Sequence, residues 1–561
     1  MTLEQSMPGG ADIPDVLHAD KTGEAALPRR SLWGLISIGI FWLALNFHWT
    51  ALLIVILPSQ VEALLAHSYL QTHGTNLAGL ADFVNNNKAV TLALVTSPGL
   101  LVALVSNPLA GMLSDRTAGR WGRRRPYILG GTLLNIVGLF LMAVAPNIIT
   151  LMLALCLTQL ANNTAAAPFH AYLPDLVNEE QRGTAAGIMG LAQIVGIILG
   201  ALVTGMLLSI DPVLKAQSSS AANGALSTYS TQLLIVYGII ALVMFALMLL
   251  TVLAVSEPPW QRSAAEAMAP GASAGWLARY RRQVGEGVLA LALIVIVLVV
   301  SLLALQAAGI TIDLNGAHLA HSDTQSANNA NIAINGVLLM VLLIVTIWAA
   351  RLFDFRPRRD PDFAWVAGTR LLMMLGINTV QAFLQYYFHD VLGSQHQETD
   401  ASNFVIILTL TAAVTTFFGG WLSTRYGRKR MVYLSGGFMS AVAAIFISLN
   451  FLVAGGVLSD AIGLFIALGG GAVFGLGYGA YLSVDWALVA DVLPSKERYA
   501  RDMGIWNIAL TVPQVVAFVI GSLLLSIAAP ASVRYTLLFV VFVIYAVAGT
   551  VTVRYIKAVK R

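Results

Sequence analysis

The chain has 561 residues, of which 57% are hydrophobic and 11% charged, with a mean hydropathy of +0.77. A soluble protein of this size carries about a quarter charged residues, so a soluble globular class is excluded. The net charge of +4 and the pI near 9.1 come from short basic loops and imply no nucleic-acid partner. Cys156 is the only cysteine, which excludes a disulfide framework and a thiolate metal site.

Residues 1–31 place Glu4, Asp12, Asp15, Asp20 and Glu24 ahead of Arg29 and Arg30, a polar tail rather than a secretory signal. A bilayer span needs roughly 20 mostly apolar residues. Six are predicted within 32–255, at about 32–57, 89–113, 127–146, 148–173, 184–209 and 231–255. A linker, 256–285, precedes a predicted transmembrane hairpin, 286–353, with runs at about 286–308 and 333–353. A second basic linker, 354–363, leads to a last set of six within 364–561. If all fourteen runs span, only Lys88, Lys215 and Arg534 of the 32 Lys and Arg fall on the outer side. Basic residues kept on the cytoplasmic side orient a membrane protein. The expected topology is therefore multi-pass in the cell (inner) membrane, with both termini cytoplasmic. The expected fold is all-α: two pseudo-symmetric six-helix bundles plus the hairpin.

The two sets of six repeat. Gly111-Met-Leu-Ser-Asp115-Arg116 followed by Gly122-Arg123-Arg124-Arg125-Pro126 has a counterpart in Gly420-Trp-Leu-Ser-Thr424-Arg425 followed by Gly427-Arg428-Lys429-Arg430. Asp175 and Arg182 are matched by Asp491 and Arg498, each pair seven apart. Paired halves with a site between them are how many secondary transporters are built. In this pattern Gly111 would allow close helix approach. Asp115 would sit in a charged latch at the membrane edge. Arg116, Arg123, Arg124, Arg182, Arg425, Arg428, Asp491 and Arg498 complete it, because guanidinium forks bind carboxylates and helix ends.

This loop resembles the signature of the major facilitator superfamily. Ser114-Asp115-Arg116 with Arg120-Trp121-Gly122-Arg123-Arg124-Arg125-Pro126, and the stretch Leu160-Ala161-Asn162-Asn163-Thr164 with Pro168 and Ala171, are similar to the plant sucrose–proton symporters within the glycoside and hexuronide cation symporters. The resemblance implies substrate contact by Asn162 and Asn163. It departs at Gln159, where those symporters place an Asp thought to carry the proton, and at His170, where they place an Arg. Proton coupling is therefore not carried over at that position.

Polar residues at mid-span are costly and mark function. Asp485 lies six residues before Asp491, or about 9 Å of helix, beside Tyr481 and Trp486. It is the expected proton carrier, with His48 and His170 as candidate partners. Candidate substrate residues are Asn46, Trp49, Gln159, Asn162, Asn163, Gln193, Asn378, Gln381, Gln385, Tyr481, Trp486, Asn507 and Gln514. Amides both donate and accept, as vicinal sugar hydroxyls require, and indoles stack on a pyranose face. Asn378 matches Asn46 in the repeat, and Gln381 matches Trp49. Arg370 opens a span and is expected to snorkel to the inner surface. The glycines of 469–479 lie inside a span without the Lys of a phosphate loop, and are expected to serve helix packing. No metal, cofactor or enzymatic activity is expected.

The expected function is proton-coupled symport of a neutral sugar, a disaccharide such as sucrose or maltose, by a monomer in the lipid bilayer. A facilitator or exporter of another organic solute remains open, as does a non-transporting receptor or lipid-handling protein.

Overall fold

The computed structural model describes residues 28–115, 117, 121–178, 181–257, 285, 324–352, 357–492 and 499–557. In a bilayer every backbone group must be satisfied internally, so spans are helices or closed barrels. Here, among the described residues, regular structure is entirely helical. The helices are α1 Leu32–Gly39, α2 Phe41–Thr50, a π-helical segment Ala51–Ile56, and α3 Leu57–His73. Then follow α4 Leu80–Asp115, α5 Arg125–Ala143, α6 Ile148–His170, α7 Tyr172–Leu176, α8 Arg182–Leu207, α9 Asp211–Leu214 and α10 Ser219–Ala254. After α11 Thr324–Leu352 come α12 Pro361–Ala382, α13 Leu384–Asp390, α14 Gln397–Tyr426, α15 Arg428–Ala454, α16 Asp460–Val492, α17 Tyr499–Leu525 and α18 Ala531–Thr552.

Twelve stretches of the described residues are long and apolar enough to cross a membrane. They fall six and six, as the repeat predicts. The first, Leu32–His73, runs well past the expected end at 57. Glu62, which the sequence reading left in an outer loop, therefore lies on a helix. The first arm of the predicted hairpin is outside the described residues. Its second arm is α11, whose apolar stretch is Asn335–Trp348.

Helix ends are set by local chemistry. The Ser31 hydroxyl accepts the Gly34 amide, and Asn147 and Thr150 form a reciprocal capping box at α6, satisfying amides that no helical carbonyl reaches. The two copies of the basic motif share a glycine in left-handed backbone: Gly122, with φ of 90°, three residues before α5, and Gly427, with φ of 96°, immediately before α15. Glycine takes that conformation without a steric penalty.

Within the bilayer helices associate through close packing of small residues. Gly196 and Gly200 of α8 lie on the backbone of Leu43 and Phe47, where a Cβ would collide with the carbonyl oxygens. Gly475 and Gly479 of α16 meet the Leu408 and Ala412 carbonyls of α14 in the same way, the packing role expected of that glycine run. Gly111 differs from expectation: among the described residues a Cβ there meets nothing within 4 Å. Outward-facing side chains such as Phe417, Phe465, Met206 and Leu253 are exposed, as a lipid-facing surface demands.

The halves meet where α4 packs on α17 and α8 on α14. Helix α11 lies against α4 and α17 together, with Asn335 accepting from Ser522 at 3.1 Å. Its other face, Met340, Leu343, Ile344 and Ile347, is exposed, so α11 is peripheral while touching both halves. Deleting 286–353 with a short linker is expected to reduce transport without abolishing it, in protein that still reaches the membrane. Complete loss of uptake by such protein would show that this segment belongs to the transport machinery.

Candidate functional site

On the face that carries Arg30 and Lys557, near the described ends of the chain, the basic motif builds a clasp. Arg123 Nη2 and Arg124 Nε reach Asp175 Oδ2 at 2.6 and 2.7 Å, and Arg124 Nη1 donates to the Ser114 hydroxyl at 3.1 Å. The sequence reading missed Glu257. Its carboxylate accepts the Arg124 and Arg125 amides at 3.0 and 2.9 Å and the Tyr172 hydroxyl at 2.7 Å. It thus sits on the free amides at the start of α5, where the helix dipole favours an anion. A Cβ on Gly122 would collide with this carboxylate, the second reason for glycine there. Arg116, Arg498 and the side chains of Asp115, Arg182 and Asp491 lie outside the described residues. In the second copy, Lys429 donates to the Ile556 carbonyl at 2.6 Å. Arg425 lies 5.8 Å from the Tyr426 ring centre, and Arg428 is half-buried.

The mid-depth groups divide by half. In the first half the Trp42 indole donates to Gln193 at 3.4 Å and meets the His170 ring edge-on at 4.7 Å. Trp42 joins this aromatic and amide cluster although the sequence reading named only its neighbours. His170 is exposed. His48 is fully buried against Trp49 at 4.6 Å, and neither ring nitrogen has a partner among the described residues. Asn163 bridges helices: it accepts from Asn107 of α4 at 3.0 Å and donates to the Gln159 carbonyl at 2.8 Å and side-chain oxygen at 3.3 Å. Asn162 is buried with Oδ1 unpartnered.

The repeat is visible in hydrogen bonds. Asn46 Nδ2 donates to the Trp42 carbonyl and Asn378 Nδ2 to the Met374 carbonyl, each four residues back and each 2.7 Å. Gln381 and Gln514 are half-buried. Gln385 is buried, and with its amide nitrogen turned inward it donates to the Val55 and Ile54 carbonyls at 3.2 and 3.1 Å. These belong to the π-helical segment. A π-bulge displaces carbonyls from the regular ladder, so Gln385 links the halves there.

Asp485 is buried and ion-paired with Arg370, and accepts the Tyr481 hydroxyl at 2.8 Å. Arg370 lies 4.0 Å from the Trp506 ring centre, a cation–π position. This corrects two expectations. Arg370 does not snorkel, because a carboxylate and an indole inside the bundle hold it. Asp485 is not set beside His48 or His170, which stand in the other half with aromatic neighbours. The side chains of Trp486 and Asn507 lie outside the described residues.

A third cluster was unforeseen. On the face opposite the clasp, Lys88 is 1% exposed. It lies 3.3 Å from Glu62 and 2.6 Å from Asp390, with its Nζ 4.6 Å from the Tyr386 ring centre. Lys88 is thus no loop residue. Gln397 donates to Glu62 at 2.8 Å and Tyr535 to Asp390 at 2.9 Å. Burial works to raise the Asp390 carboxyl, but Lys88 and His389 outweigh it and hold it well below the usual range. Further links join the halves here: Ile210 N to Glu398 at 2.9 Å, Thr399 to the Gly205 carbonyl at 2.6 Å, and Tyr386 to the Pro58 carbonyl at 3.2 Å.

Residues 64–352 match a family profile described as MFS/sugar transport protein, and residues 366–560 match one described as Major Facilitator Superfamily. A general alpha-glucoside permease of Schizosaccharomyces pombe is 34% identical over 130 residues, 20% of this chain and 24% of that protein. A sucrose transport protein of Arabidopsis thaliana is 29% identical over 124 residues, 18% and 21% of the two chains. These alignments therefore reach less than a quarter of the relatives' own length. Among solved structures, a POT family transporter in complex with a thioalcohol conjugated peptide superposes with a TM-score of 0.61 at 14% identity, over 95% of this chain and 99% of that one. The peptide transporter POT in complex with sulfate gives 0.59 at 15% identity, over 96% and 98%. At such identities the likeness is one of fold.

Proposed function

The chain belongs to the major facilitator superfamily, and from that premise we propose that it is a secondary active transporter of a neutral sugar of disaccharide size, coupled to protons. The clasp is cytoplasmic, and the Lys88 cluster faces outward. The carrying observation is the mid-depth chemistry. Amides recur on the corresponding first spans of both halves, and the Asn46 and Asn378 bonds repeat to the same length. Such groups suit hydroxyls, and the Arg370–Asp485 pair adds a charged element among them. The similarity to an alpha-glucoside permease and a sucrose transport protein supports the same substrate class.

In this mechanism the two halves rock about the α4–α17 and α8–α14 seams, exposing the amide-lined region to one side at a time. A proton competes with Arg370 for the Asp485 carboxylate. Protonation releases the guanidinium from that carboxylate and lets the second half change its packing. Uptake into proteoliposomes, with a panel of sugars and an imposed pH gradient, tests the reading. The expected result is saturable entry of a disaccharide, raised by an alkaline interior. Entry of a different organic solute, or of none, would refute it. A facilitator is the second reading, favoured by Gln159, whose amide is bound to Asn163 where the similar symporters carry an acid. It predicts entry that ignores the gradient.

The orientation has its own check. In a Cys156→Ala background, single cysteines at the exposed positions Asn76 and Ser220 are expected to react with an impermeant thiol reagent from outside. A cysteine at exposed Arg358 is expected to react only after permeabilisation. The opposite pattern would invert the topology.

A further inference from the structure

The closed outer face holds more acid than base. Glu62, Asp390 and Glu398 are joined to one another's half by hydrogen bonds or ion pairs, and Lys88 lies between the first two. Among the described residues no cation pairs with Glu398. It is 0% exposed. Its Oε1 accepts the Ile210 amide, and its Oε2 is buried with no partner among the described residues. From α3 comes Glu62, and from the turn into α9 comes Asp211, both acidic and both acting on Glu398. Lys215 is bound to Asp211 at 3.2 Å, and Lys88 is shared by Glu62 and Asp390. From α10 comes the Tyr229 hydroxyl, which donates to Ser59. On its own helix, Asp400 accepts from Ser394 at 2.5 Å. An ionised carboxylate buried with acidic neighbours and no counter-ion is strongly disfavoured, whereas the neutral acid is not.

We propose that Glu398 is a proton-binding site of the outer gate, occupied while the two halves are closed on this face and vacated to the outside when they part. Parting the halves withdraws the Ile210 amide from Oε1 and admits water, which stabilises the ionised form. Closing reverses both. The proton therefore enters and leaves on the outer side, and is distinct from one carried through at Asp485. Closure takes up a proton, so low external pH favours the closed state, and closure is lost as pH rises through the range in which Glu398 ionises.

The test uses full-length protein in lipid nanodiscs. Spin labels go on Asn76→Cys and Gln395→Cys, exposed outer positions of opposite halves, in a Cys156→Ala background, and their separation is measured against pH. The closed-to-open ratio is expected to fall by about tenfold per pH unit within the titrating range, the slope of one proton. Glu398→Gln is expected to remove the slope and leave the short distance at every pH. Asp485→Asn is expected to keep the slope, which separates this site from the transport reading. Wild-type distances that do not change with pH would overturn the proposal without any variant. So would a Glu398→Gln protein that keeps the wild-type slope, or an Asp485→Asn protein that loses it.

Discussion

Replacing Asp485 by asparagine is expected to abolish accumulation driven by a pH gradient while leaving counterflow exchange of the same sugar. The amide keeps the shape of the carboxylate and can still accept from Tyr481, whose hydroxyl is 2.8 Å away. It cannot exchange a proton, and it leaves Arg370 without its anionic partner. The Trp506 ring, 4.0 Å from the guanidinium, remains to hold Arg370 in place. Accumulation requires a proton-dependent change in the loaded carrier, whereas exchange requires only that the loaded carrier reorient. The two assays therefore separate coupling from binding. Continued accumulation by the Asn variant would make Asp485 structural. Loss of binding as well would place it in the sugar site.

The second large effect is expected at Lys88. Lys88→Met leaves Glu62 and Asp390 buried, with side chains 0% and 11% exposed, and removes the cation between them. Breaking a buried ion pair by deleting one partner costs about 3–5 kcal/mol, so thermal unfolding in detergent is expected to shift markedly downward. Adding Glu62→Gln and Asp390→Asn to Lys88→Met is expected to restore most of the loss, because the uncompensated charges go with the cation. A Lys88→Met protein as stable as wild type would show that water or an ion already compensates these carboxylates. Lys88 and Glu62 lie in one half and Asp390 in the other, so the single variant is also expected to populate the state open on this face.

Much of the organisation was legible because it is written locally. Apolar length marks a span, and one miscounted span would have scrambled the charge asymmetry. The six-plus-six arrangement follows from the repeat. The glycine before each basic run could be aligned by eye, and in both copies it takes the left-handed turn ahead of a helix. The match of Asn46 with Asn378 was readable too, since each bonds back within its own helix.

What escaped was non-local. Arg370 at the start of a span has the sequence of a snorkelling residue. Asp485, 115 positions away, instead holds it inside the bundle. Lys88 looked like an outer-loop charge and lies 302 positions from its partner Asp390. Glu257 followed an apolar run without a motif, yet it caps α5 across 132 residues. By itself the sequence determined the class, the span order, the repeat and the family resemblance, because hydropathy and backbone conformation depend on a residue and its near neighbours. The tertiary structure alone decided which charges are paired, because burial and the distance to a counter-ion depend on how separate helices pack.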